Sequence, residues 1–118
     1  MLNATNKKIA ERRAQLQQVC DIIVRDFQPE KIVLFGSYAN GTPTVDSDLD
    51  LMVVLPFDGS ALQKAVAILR HIDILAPLDL LVRTQEQIQQ RLWMGDSFMR
   101  DVLERGKVLY EANHARVD

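Results

Sequence analysis

Two carboxylates one residue apart, Asp48 and Asp50, stand at the start of the apolar run Leu49-Asp50-Leu51-Met52-Val53-Val54-Leu55. In a strand, residues i and i+2 point to one face, about 6.6–7 Å apart along the chain. The two acids therefore project together, and carboxylates aimed at one point make a seat for Mg²⁺. A charge inside so apolar a run also needs compensation, which a cation supplies. Twelve positions before Asp48 comes Gly36-Ser37, directly after the apolar segment Lys31-Ile32-Val33-Leu34-Phe35. That order reads as a strand, a turn and the opening of a short helix. The first backbone N–H groups of a helix have no intrahelical partner and can receive a phosphate. Gly36 would leave room for phosphate beside the backbone. Ser37 reads as a phosphate contact and not as a covalent nucleophile, because no nearby His or Lys can act as its base. A phosphate cradle beside a metal-holding acid pair points to nucleotide chemistry.

Other residues are less specific. Asp79 interrupts the apolar segment at 77–83 and reads either as a third acid of the site or as an edge-strand charge that discourages sheet pairing. Asp73, in His71-Ile72-Asp73-Ile74-Leu75, competes for the third-acid role but sits nearer the preceding helix. Asp46 reads as a loop acid. His71 and His114 form no metal-binding cluster and receive no role. Trp93, Met94, Phe98 and Met99 read as core, and any part left exposed becomes a candidate partner surface.

These residues resemble the minimal nucleotidyltransferases of the DNA polymerase beta-like superfamily. The hallmark of that family is Gly-Ser, ten residues, then Asp-X-Asp, and Gly36, Ser37, Asp48 and Asp50 match it without a gap. Pro77-Leu78-Asp79-Leu80-Leu81-Val82 is similar to the later strand that carries the third carboxylate. Thr84-Gln85-Glu86-Gln87 is similar to the helix start after it, and Arg105-Gly106-Lys107-Val108-Leu109-Tyr110-Glu111 to the closing segment. The resemblance implies Asp48, Asp50 and Asp79 as catalytic, metal-holding acids, with two Mg²⁺ ions. It implies Gly36 and Ser37 as nucleotide-binding residues, with ATP as substrate. The implied reaction is attack of a hydroxyl on the α-phosphate, with loss of pyrophosphate. Larger relatives bind the acceptor with an added domain, so the acceptor here is expected on another subunit or protein. Single-domain members resemble the antitoxins of HEPN/MNT toxin–antitoxin pairs, which adenylylate a tyrosine of a HEPN-type ribonuclease toxin. Two alternatives stay open: a small-molecule or antibiotic nucleotidyltransferase, and a non-catalytic antitoxin that binds and occludes its partner. Asn40 stands where many relatives carry Arg, and no Lys or Arg occurs between Lys31 and Lys64. Any cation for the triphosphate must then come from elsewhere in the fold.

The elements that position these groups follow from periodicity. Ile9, Leu16, Val19, Ile23 and Phe27 form one helical stripe over 6–27, ended by Pro29. The segment 49–55 is apolar on both faces apart from its acids and belongs in the middle of a sheet. Asp58-Gly59-Ser60 can open a helix through His71, with Leu62, Val66 and Leu69 inward. A strand at 77–83, helices after Thr84 and after Asp96 or Ser97, and a last strand at 107–111 complete the pattern. The expected fold is α/β: a small mixed sheet covered on one face by helices, with its acidic face open. At 118 residues the chain reads as one nucleotidyltransferase domain, with an N-terminal helical part at 1–28 and a frayed tail at 112–118. A net charge of −2 gives no broad basic surface for long nucleic acid. The single Cys20 excludes an internal disulfide and falls in a buried helical pattern. Without a signal peptide or membrane span, a cytoplasmic protein is expected. Both homo- and hetero-oligomers remain open.

Overall fold

The structure is a computed structural model and describes residues 3–74 and 76–113. Helix α1, Ala4–Phe27, begins where the Asn3 side chain accepts the Asn6 N–H at 2.8 Å. It buries Leu16, Val19, Cys20 and Ile23, a stripe at threes and fours. Burial, and then neighbouring Asp21, pushes the Cys20 thiol up to about 11, so it stays protonated and inert. At the helix end Gln28 takes a left-handed conformation, and Pro29 prevents continuation.

Four strands follow: β1 Lys31–Phe35, β2 Leu49–Val54, β3 Leu78–Arg83 and β4 Lys107–Glu111. Their order is β3-β2-β1-β4, with β2 parallel to β3 and β1 antiparallel to both β2 and β4. The sheet is therefore mixed, and β2 is interior, as its two apolar faces require. The remaining helices are α2 Ser37–Asn40, α3 Ala61–Leu69, α4 Gln85–Trp93 and α5 Ser97–Arg105. Parallel pairing of β2 and β3 needs a crossover, which α3 supplies. Ser60 caps α3, Thr84 and Gln87 form a reciprocal capping box on α4, and Asp96 caps α5.

Two expectations are corrected here. Helices cover both faces of the sheet, not one. Ile32, Leu34, Leu49, Leu51 and Val53 pack with α1, α3 and Tyr38, while Val33, Met52 and Val54 pack with Ile88, Met99 and Val102 of α4 and α5. The cause is β1 and β2, whose alternate residues are apolar on both sides. Helix α3 also turns a different face inward. Ala65 and Ile68 are buried, whereas Leu62 is 74% exposed and Val66 and Leu69 face solvent. The segment Ala61-Leu62-Gln63-Lys64-Ala65-Val66-Ala67-Ile68-Leu69 carries two apolar stripes, and the one lined by alanine lets the helix approach the sheet more closely.

The aromatic cluster is split: Met99 is buried, but Trp93 is 89% exposed, and Met94 and Phe98 are also exposed. Gly106 brings α5 down onto β1, since an added Cβ would lie 2.2 Å from the Val102 carbonyl oxygen and 2.6 Å from Val33 Cγ1. In the expected tail, the Ala112 N–H still donates to the Glu30 carbonyl at 2.9 Å. Residues 114–118, His114 among them, lie outside the described residues. No helix among the described residues is long and apolar enough to cross a membrane.

Candidate active site

Asp50 occupies the second position of β2, paired across the sheet with Phe35 of β1 on one side and Asp79 of β3 on the other. Side chains directly opposite on neighbouring strands share a face, so Asp50 and Asp79 stand together on the side occupied farther along by Met52 and Val54. There α4 and α5 cover the sheet, but at the acidic end Asp50 is half-buried and Asp79 exposed. Burial, then the negative charges of Asp79 and Asp48, and then a hydrogen bond with Asp79, push the Asp50 carboxyl up to about 6. Asp48, exposed at the mouth of β2, thus acts electrostatically on the same point.

The Gly-Ser turn lies against this acid. Gly36 has φ +74°, a conformation that favours glycine, and a Cβ built on it would fall 2.2 Å from Asp50 Oδ2. No side chain fits between the turn and the carboxylate. Ser37 is the first residue of α2, half-buried and adjacent to that contact. The start of α2 and the Asp50 carboxylate are thereby neighbours.

Among the described residues, no three acids, histidines or cysteines already close into a metal cage. The donor set nevertheless fits Mg²⁺, which is ordinarily held by one or two carboxylates together with substrate phosphates and water. The elevated Asp50 pKa reflects burial first, and then neighbouring carboxylates without a counter-charge. Of the other sequence candidates, Asp46 stays in the loop, with its N–H donating to Thr44 Oγ1 at 3.3 Å. Asp73 lies outside the strands and is exposed, so β3 places Asp79 and not Asp73 opposite Asp50. Asn40 is exposed on α2. His71 Nδ1 lies 2.9 Å from Asp26 Oδ2, a surface tie between α1 and the end of α3.

The sequence reading missed the arginines of α1. Arg12 Nη1 donates to the Val45 carbonyl at 2.5 Å and to the Ser47 carbonyl at 3.0 Å, in the loop that leads to Asp48. The Arg13 guanidinium lies 5.3 Å from the centre of the Tyr38 ring, in the helix that follows Gly36. The cations next to the motif therefore come from more than twenty residues upstream. The Arg12-Arg13 pair was visible in the sequence, but nothing local indicated what it would touch.

Comparison with known proteins places the chain in a family. The nucleotidyltransferase domain model matches residues 16–109, most of the chain. A Methanocaldococcus jannaschii protein named "Putative protein adenylyltransferase MJ0604" is 35% identical over 83 residues, covering 69% of this chain and 78% of that one. A crystal structure described as "a putative nucleotidyltransferase from Sulfolobus solfataricus" superposes with a TM-score of 0.66 at 14% identity, covering 92% of this chain and 87% of the other. A chain of the toxin–antitoxin MntA–HpeT superposes with a TM-score of 0.52 at 19% identity, covering 84% and 74% respectively. At those identities the two structures speak for the fold, while the domain match and the archaeal relative speak for descent: this chain belongs to the nucleotidyltransferase domain family and is a nucleotidyltransferase.

Proposed function

We propose that this protein transfers AMP from ATP to a tyrosine hydroxyl of a HEPN-type ribonuclease toxin and so acts, in the cytoplasm, as its antitoxin. The observation that carries the reaction is the pairing of Asp50 with Asp79 beside a glycine whose missing Cβ leaves the carboxylate in contact with a phosphate-binding turn. The name of the archaeal relative supports a protein acceptor, and the toxin–antitoxin title of the structural neighbour supports the partner class.

In this reading Gly36 and Ser37 hold the β- and γ-phosphates through backbone N–H groups and the serine hydroxyl. The tyrosine oxygen attacks the α-phosphorus in line, a new P–O bond forms, and the bond to the β-phosphate oxygen breaks. Pyrophosphate leaves, and the hydroxyl proton passes to Asp79. Asp48, Asp50 and Asp79 would hold Mg²⁺, which would neutralise phosphate charge and acidify the hydroxyl. Positioning and electrostatics supply most of the rate. The added AMP brings bulk and negative charge to the toxin, repelling RNA from its groove.

The test uses purified protein, Mg²⁺, α-labelled ATP and a purified HEPN-type partner, with an Asp48→Asn/Asp50→Asn double variant as control. The expected result is a labelled partner, with AMP on a tyrosine, only when both acids are intact. Equal binding of the partner by both proteins without label would sink the enzymatic reading and leave an antitoxin that works by occlusion.

A further inference from the structure

Residues 41–48 join the two halves of the site and contain neither helix nor strand. Their own hydrogen bonds shape a local turn: Thr44 N–H donates to Ser47 Oγ at 2.8 Å, and Ser47 N–H to the Thr44 carbonyl at 3.1 Å. Those bonds do not aim Asp48. Its direction depends on the two peptide planes that flank it, because planar peptides leave φ and ψ as the soft variables. The plane after Asp48 is fixed by the Leu49 N–H, which donates to the Pro77 carbonyl at 2.9 Å. The plane before it carries the Ser47 carbonyl, and Arg12 donates to that oxygen at 3.0 Å while also holding the Val45 carbonyl.

Arg12 projects from a helix whose inner face, Leu16, Val19, Cys20 and Ile23, is buried in the core. The guanidinium is thus delivered from a rigid element to a loop that has no regular structure of its own. Its charge is permanent, so the grip does not change with pH.

We infer that Arg12 is a positioning residue for Asp48: it fixes the Ser47–Asp48 peptide plane and so holds the Asp48 carboxylate at the acidic end of β2, beside Asp50. The inference rests on the functional reading above for the metal and nucleotide that the acids receive. Arg12 acts through the loop, by its bonds to the Val45 and Ser47 carbonyls. A mere surface staple would add a little stability and leave the site unaltered, and the two roles give different results.

The test is titration of Mn²⁺, read by electron paramagnetic resonance, with α,β-methylene-ATP present. The intact protein is compared with Arg12→Met, which keeps the aliphatic stem, and Arg12→Lys, which keeps a cation with N–H donors. Arg12→Met should bind Mn²⁺ about tenfold more weakly and lower kcat for label transfer by about tenfold, with KM for ATP within about twofold. Its thermal midpoint should stay within about 2 °C of the intact protein, and Arg12→Lys should recover part of both losses. Mn²⁺ affinity within twofold of the intact protein in folded Arg12→Met would overturn the inference. So would losses that follow the thermal midpoint alone. Should Arg12→Met not fold, the same two criteria apply to Arg12→Gln, which is neutral and too short to hold both carbonyls. An intact protein that binds Mn²⁺ with the nucleotide analogue but labels no partner defeats the functional reading while the Mn²⁺ comparison still decides the role of Arg12. An intact protein that binds no Mn²⁺ defeats both.

Discussion

The two faces of strand β2 differ less in composition than in what covers them. On one face Leu49, Leu51 and Val53 are fully buried beneath α1 and α3 from end to end. On the other, Val54 and Met52 lie beneath α4 and α5, but the cover stops and Asp50 is left half-buried beside exposed Asp79. The first face is core throughout. The second is core for part of its length and acidic at its end. This division gives Asp50 enough burial to raise its pKa, and enough access to receive a ligand. Two glycines mark the same contrast. Gly106 lacks a Cβ so that α5 can meet β1, and Gly36 lacks one so that the Gly-Ser turn can meet Asp50.

The sharpest way to separate the faces is to neutralise the acid. Asp50→Asn should lower transfer by roughly a thousandfold or more, about 4 kcal/mol of transition-state stabilisation, in the labelled-ATP assay. Its far-UV circular dichroism should not change. One residue along, on the other face, Leu51→Ala should do the reverse. We expect a loss of about 2–5 kcal/mol of stability in urea denaturation, with label transfer retained by the folded fraction. The glycines sharpen the comparison further. Gly106→Ala should cost about 1–3 kcal/mol by overpacking without impairing Mn²⁺ binding. Gly36→Ala should lose Mn²⁺ and nucleotide binding through its collision with Asp50, at a stability cost of about 1–3 kcal/mol from the strained φ.

The smallest effect concerns pH in the metal-free protein. The Asp50 pKa of about 6 lies above its ordinary value of 3.8, so the folded state holds the proton more tightly than the unfolded one. The resulting destabilisation is full above about pH 6 and disappears below 3.8. The contribution of Asp50 to the thermal midpoint should therefore rise by a degree or two as pH falls from 7.5 to 5, and Asp50→Asn should lack that component. Mn²⁺ should bind more weakly over the same interval, because protons compete for the same oxygen.

Much of the fold and part of the site were legible in the chain. The caps at Ser60, Thr84 and Asp96, the breaks at Pro29 and Gly95, and the central place of β2 all follow from residue types within a few positions of one another. The juxtaposition of Gly36 with Asp50 was implied by a strand, a turn and a returning strand. Less was legible for α3, where two apolar stripes were equally periodic and only the fit of alanine against the sheet selected one. The exposure of Trp93 could not be read either, since an aromatic at helical spacing looks the same whether or not another element covers it.

The sequence alone determined the local elements and the acid pair of the motif, because strand alternation, helix capping and turn chemistry depend on neighbours along the chain. Tertiary structure decided the rest. The parallel register that sets Asp79 opposite Asp50, the cover of α4 and α5 over only part of the acidic face, and the reach of Arg12 to a loop 33–35 residues away arise from packing between distant segments. Which distant side chains meet is settled by shape and burial across the whole core, and no local window of the chain contains that information.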